Sequence, residues 1–240
     1  MRAGLEFAQL LSAYHWLRAL PGSDGHPVIV LPAYLSGDAS TRPLRTFLRD
    51  IGYRAHGLKL GLNVGFDADS ADTHLARLRD IRTRYDRKVS LVGVSLGGVF
   101  ARELAKRSPH DVRSVITLGS PLRGNPKANN VWQLYEFFSG RKAGEEMVRM
   151  TSELPPVPMT AIFSRTDGIV AWPCTMIEKG ALAESVEVHG SHSGLAHNLA
   201  ALFAIADRLA QPEGSWTPFD RSGLKSVYYP DPWRDVPRPS

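Results

Sequence analysis

The segment 88–107 constrains the fold of this chain more than any other. KVSLVGVS (88–95), an apolar run rich in β-branched residues, passes directly into LGGVFARELAKR (96–107), which reads as a helix. A buried strand followed at once by a helix is half of a βαβ unit. The same alternation recurs along the chain. VIVLP (28–32) reads as a buried strand. Leu44, Phe47, Leu48 and Ile51 fall at helical spacing, with Thr41 placed to cap that helix, Pro43 in its first turn and Gly52 at its end. YRAHGLKL (53–60) is a second strand, and Leu75, Leu78, Ile81 and Tyr85 mark the next helix. SVITLGS (114–120), MTAIFSRTD (159–167) and SVEVHGSH (185–192) are further strands. Leu195, Leu199, Leu202, Ala206 and Leu209 form the last helical stripe. Strands alternating with helices predict an α/β fold: a mostly parallel central sheet of about six strands with helices on both faces.

Two segments flank this domain of residues 26–210, and a third interrupts its alternation from within. Residues 1–25 carry an amphipathic helix, with Leu10, Leu11, Tyr14 and Leu17 on one stripe and Phe7 one turn earlier. Its apolar face is expected to pack on its own domain, with weak contact to a membrane surface as the alternative. Residues 121–158 are longer than one connecting helix needs, and VWQLYEFF (131–138) and EEMVRM (145–150) predict a small helical insertion. Residues 211–240 are rich in proline, which disfavours regular structure, and in aromatics, which argue that parts of this tail lie against the domain.

Composition removes several classes. The 240 residues are 43% hydrophobic and 22% charged, ordinary for a globular chain. One cysteine, Cys174, excludes an intrachain disulfide and a thiolate-only metal site. No run of about 18 apolar residues occurs, so no membrane-spanning helix is expected. The net charge of +5 is spread over bases interleaved with acids, which reads as a solvated surface and not a nucleic-acid site. Glu6, His15 and Arg18 interrupt what would be the apolar stretch of an export signal, and no small-x-small cleavage pattern follows. The cytoplasm is the expected address, and the oligomeric state is not legible.

The chemistry begins at Gly93-Val94-Ser95-Leu96-Gly97. A G-x-S-x-G pattern gains meaning only between a buried strand and a helix, where a tight turn lifts the serine hydroxyl to a helix N-terminus. Ser95 stands in that context and is the candidate nucleophile. A serine needs a base, and the base needs an orienting carboxylate. On such a sheet they follow in the order Ser, Asp or Glu, His, each after a strand. Asp167, in SRTDGIV, is the candidate acid, its alternative being an aspartate that only shapes a turn. Three histidines compete as base. His189 falls within the strand pattern and His197 within the last helix; His192, in the loop GSHSGL, is the candidate. An oxyanion hole needs the N–H of the residue after the nucleophile, Leu96, and one from the loop after an early strand. In PAYLSGDAS (32–40) Tyr34 holds that position, with Ala33 and Leu35 as rivals. Leu35, Trp132, Tyr135 and Phe138 are candidates for an apolar substrate pocket.

Strand 28–32, the Tyr34 loop, GVSLGG, SRTDGIV and GSHSGL together resemble the α/β-hydrolase superfamily, in particular its small bacterial lipases and esterases with a minimal sheet. In those lipases the early loop often begins His-Gly; the matching pair here is Pro32-Ala33. A G-x-N-x-G stretch similar to one near the site of several such proteins spans Gly61 to Gly65, with no role assigned to Asn63. The resemblance implies a serine hydrolase cleaving carboxylic esters through a Ser95–His192–Asp167 triad and an acyl-enzyme, with no metal and no cofactor. The expected partner is a small ester or lipid-like substrate with a short to medium acyl chain. An acyltransferase or thioesterase, a true lipase and a non-catalytic binding module are the alternatives.

Overall fold

The computed structural model describes residues 2–17, 23–59, 61–63, 68–123 and 153–234. Among them the strands are β1 (Pro27–Leu31), β2 (Arg54–Gly57), β3 (Val89–Val94), β4 (Val112–Leu118), β5 (Met159–Phe163) and β6 (Ala183–Glu187). The helices are α1 (Arg2–Leu17), α2 (Arg42–Asp50), α3 (Ala68–Tyr85), α4 (Leu96–Arg107), α5 (Trp172–Thr175), α6 (Leu199–Ala210) and α7 (Lys225–Tyr228). The strands form one sheet in the order β2-β1-β3-β4-β5-β6, and every pairing is parallel.

The continuous apolar runs follow from burial on both faces. Alternate residues of one strand enter different cores. Val28 and Val30 of β1 join α2 (Leu44, Phe47, Leu48) and α6 (Leu202, Ile205, Leu209) on one face. Ile29 and Leu31 join α3 (Leu75, Leu78, Ile81) and α4 (Val99, Phe100, Leu104) on the other. α1 adds Leu10 and Leu17 to the first layer. The tail lies against the same layer: Phe219 and Tyr229 are buried, and the Tyr229 hydroxyl donates to the Ala200 carbonyl at 3.0 Å. The Phe219 N–H donates to the Glu184 carboxylate of edge strand β6, 2.8 Å away, which ties the tail to that strand.

Several boundaries differ from the sequence reading. β2 is only four residues long, because Asp38 takes over beyond it: its carboxylate accepts the N–H groups of Leu58 and Lys59, both at 3.0 Å. Thr41 does not cap α2; its hydroxyl turns back to the Asp38 carbonyl. β5 and β6 stop before the residues assigned to their ends, because Ser164 and Thr166 bond across to Gly190 in place of a ladder. His189 therefore lies beyond β6, and His197 lies in a 3₁₀ turn (His192–His197) that precedes α6. Most of the predicted helical insertion, including Trp132, Tyr135 and Phe138, falls outside the described residues.

The strand order reverses at β1. The chain runs from β1 outward to β2, then returns to β3 on the other side of β1. A crevice beyond the carboxyl ends of the strands is expected at such a switch point. Both the Tyr34 loop and Ser95 emerge there, with Leu31 of β1 opposite Gly93 of β3.

Candidate active site

Ser95 sits between β3 and α4 with φ 51° and ψ −123°, a conformation that costs a non-glycine residue on the order of 1–3 kcal/mol. The surroundings hold it there. Its N–H donates to the Leu118 carbonyl at 2.8 Å, and its carbonyl accepts the Gly98 N–H at 3.0 Å. The glycines around it are a packing requirement. A Cβ on Gly93 would stand 2.3 Å from the Gly98 Cα, and one on Gly97 would stand 2.5 Å from the carbonyl oxygens of Leu31 and Pro32. The turn is thus pressed between its own helix and the end of β1.

Asp167 follows β5. One carboxylate oxygen accepts the N–H groups of Ile169 and Val170, at 2.8 and 2.9 Å. The other faces His192 Nδ1 at 2.6 Å. The side chain is 1% exposed, so these donors replace the water it has lost. His192 opens the 3₁₀ turn after β6, and its Nε2 lies 3.1 Å from the Ser95 hydroxyl. With Nδ1–H donating to Asp167, Nε2 is left as an acceptor facing that hydroxyl. The structure brings Ser95, His192 and Asp167 into one hydrogen-bonded line. His189 is exposed, and His197 packs edge-on against Phe7 with ring centroids 5.5 Å apart.

The loop after β1 is braced by a segment far along the chain. The Asn63 side chain donates to the Pro32 carbonyl at 2.7 Å, its backbone carbonyl accepts the Leu35 N–H at 2.7 Å, and its N–H donates to the Ser36 carbonyl at 3.0 Å. Asn63 thereby acquires a role: it is the strap of this loop. The Leu35 N–H is committed to that strap, so Leu35 is not an oxyanion donor. Tyr34 packs partly against the core, while Leu35 is 46% exposed. Leu96, 6% exposed, begins α4, where the first N–H groups have no partner within the helix. Among the described residues no group of three or more His, Cys, Asp or Glu is placed to hold a metal ion. No described helix is long and apolar enough to cross a membrane.

Comparison with known proteins agrees with this architecture. A lipase of Bacillus licheniformis superposes with a TM-score of 0.60 at 14% identity, over 80% of this chain and 95% of that one. The chain has the α/β-hydrolase fold. A monoacylglycerol lipase of Paleococcus ferrophilus superposes with a TM-score of 0.55 at 14% identity, over 79% of this chain and 96% of that one. A pyrethroid hydrolase gives 0.55 at 19% identity, over 79% and 99%. A sequence model of the palmitoyl protein thioesterase family matches residues 67–156. No curated protein sequence matches the chain.

Within the α/β-hydrolase frame, three supports escaped the sequence reading. Ser164 at the end of β5 accepts the N–H groups of Thr166 and Gly190, each at 3.1 Å, and so ties the Asp167 loop to the His192 loop. Gly119, just after β4, has φ +57°, and a Cβ there would come within 3.1 Å of Asp167 and 3.2 Å of His192. Glu6 of α1 bonds Ser191, the neighbour of His192. The first two carry a faint signal in sequence, a serine or glycine where a strand meets a candidate loop. Glu6 carries none, being 185 positions from its partner.

Proposed function

We propose that this protein is a serine hydrolase that cleaves carboxylic esters through an acyl-enzyme. The reading rests on one observation above all: His192 spans Ser95 and Asp167, at 3.1 and 2.6 Å, beyond the carboxyl ends of a parallel sheet. Ser95 attacks the ester carbonyl while Nε2 of His192 takes its proton. Asp167 holds the imidazole in the tautomer that can accept it and favours the imidazolium that forms. The oxyanion is bound by the backbone N–H groups of Leu96, at the positive end of α4, and of Tyr34. His192 returns the proton to the leaving alcohol, and water repeats the cycle on the acyl-enzyme. Leu35, 46% exposed in the loop after β1, borders the acyl group in this proposal, which favours short to medium chains.

A thioester substrate is the second reading, and the match of residues 67–156 to the palmitoyl protein thioesterase family supports it. The same residues serve it, since only the leaving atom changes from oxygen to sulfur. The two readings separate in one assay. kcat/KM is measured for p-nitrophenyl acetate, butyrate, octanoate and palmitate and for butyryl and palmitoyl thioesters. Each methylene that finds an apolar wall adds up to about 0.8 kcal/mol of binding. A maximum at butyrate or octanoate oxygen esters supports the first reading. A maximum at the palmitoyl thioester replaces it with the second, and a maximum at palmitate ester that rises at a lipid interface makes the protein a lipase.

A further inference from the structure

The loop that carries His192 is held on three sides. Ser164 and Thr166 bond Gly190 from the loop after β5, at 3.1 and 3.0 Å. Asn198, which caps α6 through the Ala201 N–H, donates to the His189 carbonyl at 2.8 Å. The third side comes from the opposite end of the chain. The Glu6 carboxylate accepts both the N–H and the hydroxyl of Ser191, each at 2.7 Å. The Ser191 carbonyl in turn accepts the N–H groups of Gly194 and Leu195, at 3.0 and 3.1 Å, which closes the turn that His192 begins. Every polar group of Ser191 is thus engaged, and two of those bonds end on one carboxylate.

The loop is also shaped to receive that carboxylate. A Cβ on Gly194 would lie 1.3 Å from one Glu6 oxygen, and a Cβ on Gly190 would lie 3.2 Å from the other. No side chain fits at Gly194 while Glu6 is in place. Phe7, the next residue, meets the His197 ring at the far end of the same turn. α1 therefore grips the turn at both ends, through a charge at Ser191 and a ring at His197.

We propose that Glu6 is a positioning residue for His192. Its carboxylate fixes Ser191 and so sets where the adjacent imidazole stands relative to Ser95. This rests on the reading of Ser95, His192 and Asp167 as the reacting groups. Glu6 touches neither the substrate nor the reacting atoms. Its effect is on the orientation of the base, and misplacement on the order of 1 Å can cost about 10²-fold in rate.

The test compares wild type with Glu6→Ala, Glu6→Gln and Ser191→Ala, using p-nitrophenyl butyrate turnover and the second-order rate of labelling by a fluorophosphonate, with folding checked by circular dichroism. Glu6→Ala is expected to lower kcat and the labelling rate about tenfold or more while KM moves less than about twofold. Glu6→Gln keeps an acceptor for the Ser191 N–H and recovers most of the loss. Ser191→Ala removes one of the two bonds and costs a few-fold. Combined with Glu6→Ala, it adds little. Equal kcat and labelling in wild type and a folded Glu6→Ala overturn the positioning role, as does a loss confined to KM. Should Glu6→Ala fail to fold, Glu6→Gln and Ser191→Ala decide: both at wild-type kcat overturns the role. Wild type that neither labels nor hydrolyses sinks the hydrolase reading itself, a result distinct from these.

Discussion

At the scale of single residues, Asp167 and His192 divide one task. The Asp167 side chain is buried and has three donors on its two oxygens, so it is fixed in place before any substrate arrives. Asp167→Asn keeps the shape but presents an amide where Nδ1–H needs an acceptor, which favours the wrong imidazole tautomer. The same change in a serine protease costs about 10⁴ in kcat, and a loss of about 10³–10⁴ is expected here with KM little changed. His192→Ala abolishes turnover, whereas His189→Ala, at an exposed position, leaves kcat within about twofold. Steady-state kinetics on one activated ester checks all three variants. A His189→Ala loss matching that of His192→Ala contradicts the assignment.

At the scale of elements, the chain marked its own strands, helices and chemistry unequally. The alternation of buried runs and helical stripes places β1, β3, α4 and α6 close to their observed positions, because a strand buried on both faces must be apolar throughout. Ser95, Asp167 and His192 stand out as candidates in the sequence because each follows a strand. What was not legible is what depends on a distant partner. Asn63 has no role assignable from sequence, because the residues it straps, 32–36, lie far from it along the chain. The ends of β5 and β6 were read too long, since nothing in the local pattern shows that Ser164 and Thr166 divert the bonds to Gly190. Gly119 makes the point testable. Alanine there must adopt φ +57° and press against Asp167, His192 and Leu195. Gly119→Ala is expected to destabilise the fold by about 1 kcal/mol or more and to lower kcat at least about tenfold by spreading the Asp167–His192 pair. Urea melts and kinetics check it. A stable, fully active variant would mean that the pair tolerates displacement.

At the scale of the whole molecule, acid stability draws on buried groups away from the site. His26 is fully buried at the start of β1, between Asp24 and Ser90. Burial pushes its imidazole down from 6.5 to about 4, and the Arg113 and Arg87 charges act with burial while Asp24 opposes them. His56 is likewise pushed down to about 4, by burial and then by Arg77, Arg49, Arg84 and Lys59. For Asp24, burial alone would raise the carboxyl, but the hydrogen bonds from Arg113 and His26 hold it well below the usual carboxylate range. The signs agree. A histidine with a depressed folded value contributes its full stability above about 6.5 and loses it as pH falls toward about 4. For His26 that loss is on the order of 3 kcal/mol. The Asp24 share persists lower and is lost only as pH falls below its ordinary 3.8. Urea unfolding at pH 7.5, 6, 5 and 4 should show stability falling mainly between 6.5 and 4. His26→Asn, uncharged at every pH, should flatten that fall, and an unchanged slope in the variant would place the acid sensitivity elsewhere.

The measurement that bears most directly on the central claim is intact-mass and peptide mapping of the whole chain after exposure to a fluorophosphonate. One adduct per chain is expected, located at Ser95. Ser95→Ala should take up no adduct, with ester turnover reduced on the order of 10⁴–10⁶-fold while the fold is kept. An unlabelled wild type, an adduct on another serine, or a Ser95→Ala variant that still hydrolyses esters at the wild-type rate would contradict it.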